Sequence, residues 1–211
     1  FLIGLYFRKP FVSRCEVSVD PSSNVTRQRV AYASRPEVVS AIFATLLWLG
    51  VMSIGASSGL TLPVVPRDTQ YQPWSQVFPI FLNNATAAIS IYSGVLLLGS
   101  VSIVQTIILG LFSGAAIHAA VVSLGFNGAV DLLVPYFIFE ALGLIAATWA
   151  GLLPVTTAAM VPVVNQSLKH RWKTRVTNYL DAMRRTIPLL FSSLVLLLIG
   201  AVLEVAGGLP R

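Results

Sequence analysis

Two ionisable side chains are the clear cases inside long apolar runs of this chain: His118, ahead of Gly125, and Glu140, within Leu132–Leu153. Such groups are costly at membrane depth and normally face protein or a wet cavity. An imidazole and a carboxylate can share a proton, line a path for a charged solute, or hold helices in register through hydrogen bonds. Asn83 and Asn84 open another apolar run, and Tyr136 precedes Glu140 by four residues, so the two share a helix face. Glu140 is expected to contact His118, Asn83 or Asn84. The readings left open are a structural hydrogen-bonded cluster, a transport or proton pathway, and a catalytic site. A metal would need more than the two ligands His118 and Glu140 offer, so no metal or other cofactor is expected. His170 lies too far away in the topology to join His118.

Other chemical motifs are weak. Cys15 is the only cysteine, which excludes an internal disulfide and a cysteine metal cluster. There is no Walker-type glycine loop, no HExxH and no GxSxG. Sequons begin at Asn24, Asn84 and Asn165, but two fall on the expected cytoplasmic side and one inside the membrane.

The elements that position these groups follow from composition. Hydrophobic residues make up 55% of the 211 and charged residues 10%, against about 25% charged in soluble domains. Mean hydropathy is +0.79. The expected fold is all-α, a polytopic transmembrane helical bundle of about five spans: 39–60, 79–98, 102–124, 132–153 and 186–206. Residues 1–38 form a cytoplasmic or interfacial segment, and 39–211 the membrane domain. Phe1–Phe7 is apolar but too short to span, and reads as an interfacial segment or the tail of an earlier helix. The 47 residues Pro79–Gly125 carry no Asp, Glu, Lys or Arg. That is about twice the ~20 residues of one crossing, so this stretch must fold back, best near Gly99–Ser102.

The net charge of +6 does not point to nucleic acid, because the basic residues sit beside spans. Arg8, Lys9, Arg14, Arg27, Arg29 and Arg35 precede the first span. Lys169, Arg171, Lys173, Arg175, Arg184 and Arg185 precede the last. Five crossings put both blocks on one side and leave only Arg67 and Arg211 on the other. The positive-inside rule then sets the N-terminus in the cytoplasm and the C-terminus outside. The loop Leu62–Val77, with Pro63, Pro66, Tyr71, Pro73 and Trp74, reads as external with an aromatic anchor.

At about 1.5 Å per residue, Asn83, Asn84, His118 and Glu140 fall roughly 6–12 Å below the outer edge, in one polar layer. Pro135 sits one turn into its span, where its missing N–H is tolerated. Gly110 and Gly114 form a small-residue stripe that lets helices approach, and His118 continues it. Trp172, Val176, Tyr179, Leu180 and Met183 recur at helical spacing within 164–185, which reads as a basic amphipathic helix on the inner leaflet. It either anchors headgroups or docks a cytosolic partner.

The order of motifs resembles the stage II sporulation protein M family. Phe81–Leu82–Asn83–Asn84 opens a span leading to Gly94 and Gly99, and Gly110–Leu111–Phe112–Ser113–Gly114 follows. Then comes Pro135–Tyr136–Phe137–Ile138–Phe139–Glu140, with Gly143, Ala146, Ala147 and Gly151. That family has an aromatic-x-x-Asn start, glycines in the middle spans, and a Pro-His-Gly-x-x-Glu motif opening a later helix. Here Tyr136 stands in place of the His, Phe137 in place of the Gly, and Leu109 where an Asn often precedes the glycine. The likeness covers roughly Pro79–Pro154.

The resemblance implies a non-enzymatic subunit of a prokaryotic cell membrane. The sporulation member acts in a membrane complex with peptidoglycan-degrading partners, and some relatives lie beside ABC-type ATPase genes. The expected role is a scaffold or assembly component, with other membrane subunits or further copies of itself as partners. The alternative is a permease-like subunit for a peptide, lipid or ion, served by a cytosolic ATPase.

Overall fold

The computed structural model describes residues 35–59, 73–160 and 168–207. The expectations for 1–34 and for most of the Leu62–Val77 loop lie outside these residues. Among the described residues the structure is helical, with no strand. Helix α1 is Arg35–Ser57, α2 is Val77–Tyr92, α3 is Ser100–Met160 and α4 is Leu168–Gly207. Short 3-10 segments, Trp74–Gln76 and Ser93–Leu97, flank α2. All four helices are long and apolar enough to cross a membrane, by length and composition.

α1 starts where Pro36 and Glu37 suit a first helical turn: the proline lacks an N–H that would go unused, and the carboxylate faces the positive helix end. It ends before Gly59, whose φ of 65° continues no right-handed helix. After α2 the chain reverses at Leu98 (φ 52°) and Gly99 (φ 82°), and the Gly99 N–H donates to the Gly94 carbonyl at 2.7 Å. The reversal begins one residue ahead of the expected Gly99–Ser102 turn. Ser102 is already helical and donates its hydroxyl to the Ile91 carbonyl at 2.7 Å.

α3 is 61 residues long and is broken at Gly125 (φ 71°, ψ 167°). Contacts between its two limbs, 100–124 and 126–160, show the sense of the fold. Ser102 lies against Gly151, and the hydroxyls of Thr106 and Thr148 are 2.9 Å apart. As one number rises the other falls, so the limbs are antiparallel and the chain folds back at Gly125. The sequence suggested a loop up to Leu132, but helix resumes at once because a single glycine in the left-handed region makes the turn.

α4 also differs from expectation. The basic segment and the last apolar segment form one continuous helix, because the Arg184–Arg185–Thr186–Ile187 junction contains no breaker. Pro188 is accommodated within it. The basic segment is therefore an extension of a long apolar helix and not a separate one. Tyr179 and Met183 lie on its partly buried side, whereas Trp172, Val176 and Leu180 are exposed.

The second limb of α3 is the centre of the bundle. It packs against α4, α2 and the first limb, and α1 packs along α3. Trp48, Ala88, Ile91, Ala147 and Leu197 form a core cluster with essentially no exposure. Outside, Ile42, Phe43, Leu46, Phe112, Phe191 and Leu198 are exposed. Large apolar side chains turned outward on several helices suit a surface solvated by lipid.

Candidate functional site

Glu140 meets Asn84. The Asn84 amide donates to Glu140 Oε1 at 2.6 Å, joining α2 to the second limb of α3. The local sequence makes this approach possible. Asn84 and the fully buried Ala88 lie one turn apart on α2, and the small Ala88 lets the helices close. From α4, Gly200 faces Glu140, and a Cβ there would lie 2.8 Å from Glu140 Cγ. One turn deeper, Ser193 donates to the Gly143 carbonyl at 2.7 Å, and Leu197 covers Gly143. The 140–200 and 143–197 pairs set an antiparallel register.

That register places Glu204 opposite Tyr136, and both line one pocket with Glu140. Its other walls are Pro79, Ile80, Asn83 and Asn84, and its volume is about 530 Å³. The pocket is a shallow, largely open depression. It lies at the bundle end opposite the Glu37–Arg185 ion pair, whose charged atoms are 4.0 Å apart. That pair joins the start of α1 to the basic stretch of α4, so these two stretches sit at one end of the bundle.

Of the residues singled out from sequence, Asn83, Asn84, Tyr136 and Glu140 come together at this pocket. His118 does not: it is exposed and is not among the lining residues. A four-residue step rotates about 40° around a helix. Two steps from Gly110 therefore carry His118 off the stripe. Gly110 and Gly114 face α1 instead: a Cβ on Gly110 would meet Val51 at 3.0 Å, and one on Gly114 would collide with the Met52 carbonyl oxygen. Arg171, Lys173, Arg175 and Arg184 are exposed on the α4 extension, Arg185 pairs with Glu37, and the side chain of Lys169 lies outside the described set.

Glu204 is the pocket residue that the sequence reading missed. It stands inside the apolar run 186–206, so the criterion that picked Glu140 also applies to it. A second polar group went unread in the core. The Trp48 indole N–H donates to the Thr148 hydroxyl at 2.8 Å, Thr106 also meets that hydroxyl, and Thr148 donates to the Leu144 carbonyl at 2.9 Å. Trp and Thr in apolar runs carry polar atoms that need partners when buried.

Directly beneath the pocket the bundle is closed. Ala88, Ile91, Ala147 and Leu197 have no exposure, and the Trp48–Thr148–Thr106 hydrogen bonds lie alongside them. Chemically, the site offers hydrogen-bond acceptors and two carboxylates on one open side and a buried, hydrogen-bonded polar cluster below. Among the described residues, no group of three His, Cys, Asp or Glu could hold a metal ion.

Comparison with protein families matches the description "Stage II sporulation protein M" over residues 38–206. The comparisons with curated proteins and with solved structures gave no match.

Proposed function

Because this chain belongs to the stage II sporulation protein M family, we propose that it is a non-enzymatic scaffold or assembly subunit of a membrane complex in a prokaryotic cell membrane. The observation that carries this reading is the closed layer of Ala88, Ile91, Ala147 and Leu197 beneath the polar pocket. A permease needs a polar path past Glu140. A scaffold needs satisfied polar contacts that fix helix register, as Asn84–Glu140 and Trp48–Thr148 do.

In this reading the bundle crosses the membrane five times, with α3 contributing two crossings about Gly125. The N-terminus lies in the cytoplasm and the C-terminus outside. The α4 extension is the partner surface: Trp172, Val176 and Leu180 stand at four-residue spacing, exposed, beside Arg171, Lys173 and Arg175. Such a stripe suits an acidic amphipathic partner.

A second reading, a permease-like subunit, is favoured by the pocket itself, which sets two carboxylates at one end of the bundle. It would draw energy from a cytosolic ATPase docked on the same α4 extension.

The test is quantitative mass spectrometry of complexes cross-linked in native membranes and purified in mild detergent. The wild type is compared with the triple variant Arg171→Glu, Lys173→Glu, Arg175→Glu. A wall hydrolase lost from the variant supports the scaffold, and an ATPase lost from it supports the permease. A partner set unchanged by the variant removes α4 as the docking surface.

A further inference from the structure

We propose that the pocket between α2, α3 and α4 binds a primary ammonium group carried on a compact apolar stem. The inference stands on the pocket lining and goes beyond the scaffold reading. Glu140 and Glu204 supply carboxylates, Tyr136 a phenol, and Asn83 an amide. The Asn84 amide nitrogen is engaged with Glu140, which leaves its carbonyl oxygen to accept. The lining contains no Lys, Arg or His. An anion would meet two carboxylates, so the site selects cations.

Size and geometry narrow the cation. Ca²⁺ and Mg²⁺ need about six or more oxygens within roughly 2.0–2.6 Å, and among the described residues no group of three His, Cys, Asp or Glu could hold a metal ion, whereas this largely open pocket holds about 530 Å³. That volume falls in the range of about 300–1,000 Å³ typical of small-molecule pockets. A quaternary ammonium is held by several aromatic faces, and Tyr136 is the one aromatic residue in the lining. A primary ammonium has three donors, which match acceptors spread over three helices. Pro79 and Ile80 give its stem an apolar wall. Such a group could come from an aminophospholipid headgroup or from a soluble amine such as a peptide N-terminus.

The experiment is calorimetric titration of the purified chain in phosphatidylcholine nanodiscs with benzylammonium, benzyl alcohol and benzyltrimethylammonium. Benzylammonium is expected to bind, and the other two to bind at least about tenfold more weakly, the loss of one charge-assisted contact. Glu204→Gln and Glu140→Gln are each expected to weaken benzylammonium about tenfold or more, and Glu37→Gln at the far end to leave it unchanged. Glu204→Gln decides the outcome if Glu140→Gln does not fold. Equal binding of the alcohol, binding of Ca²⁺ in place of the amine, or equal affinity in Glu204→Gln overturns the proposal. Repeating the titration in phosphatidylethanolamine nanodiscs separates the sources: competition there identifies the lipid headgroup, and no competition the soluble amine. Partners take no part in this titration, so its failure leaves the α4 docking surface standing.

Discussion

Gly200 lies flat against Glu140: a Cβ at position 200 would come within 2.8 Å of Glu140 Cγ and 3.5 Å of the Tyr136 carbonyl oxygen. The carboxylate that forms one wall of the pocket therefore keeps its place because α4 has no side chain opposite it.

Gly200→Ala should destabilise the bundle despite its better helix propensity. The propensity gain is about 1 kcal/mol, and overpacking costs about 1–3 kcal/mol. Gly50→Ala is the control, since nothing lies within 4 Å of a Cβ there. Thermal unfolding in detergent should place Gly200→Ala below the wild type and Gly50→Ala level with it or above. The reverse order would show that α4 does not press on Glu140.

Asn84→Ala should remove the 2.6 Å donor to Glu140. Interhelical polar contacts in membranes are worth about 0.6–2 kcal/mol, and the loss should fall in that range. Asn84→Asp should cost more, because it sets a second carboxylate where a donor stood. Denaturant titration in mixed micelles reads both. An Asn84→Asp variant as stable as Asn84→Ala would argue against the bond.

Thr148→Val keeps the volume but removes the hydroxyl that meets Trp48 and Thr106. Trp48 is only 1% exposed, so its indole N–H would be left buried without an acceptor, at about 1–3 kcal/mol. Thr148→Ser keeps the hydroxyl and should lose less. Comparing the two by thermal unfolding separates the hydrogen bond from simple packing, since equal losses would assign the effect to packing.

The proposed five crossings make a labelling prediction. In a Cys15→Ser background, cysteines at Asn127 and at Trp172 should react with impermeant maleimide from opposite faces of the membrane. Labelling of both from one face would undo the assignment of α3 as two crossings.

Much of this protein was legible as sequence because its solvent imposes the pattern. Ten per cent charged residues cannot cover a water-soluble surface, and the helix rise fixes how many apolar residues one crossing needs. The fold-back of Pro79–Gly125 follows from length alone, and the family resemblance found in its motifs is matched over residues 38–206. Asn84 and Glu140 could be brought to one layer by rise per residue, because depth along a helix is linear in residue number.

Rotation about the helix and packing between helices are not linear in that way, and they decided the rest. The sequence set His118 and Glu140 at similar depth, but with helix resuming after Gly125 the Ser102–Gly151 and Thr106–Thr148 pairs bring Glu140 level with about Gly114. The turn per residue puts His118 on an exposed face, while Glu140 meets Asn84 and Gly200. Glu204 reaches the same pocket only through the antiparallel register of α4 on α3, set by Gly143, Leu197 and Gly200. The continuity of α4 through Arg185 also had to come from the folded chain, since charge marks where a helix leaves an apolar surrounding but not where it stops. The sequence determined which groups must be sheltered, because their solvation cost is local. Which groups shelter one another was decided by tertiary structure, because that depends on where small residues let helices touch.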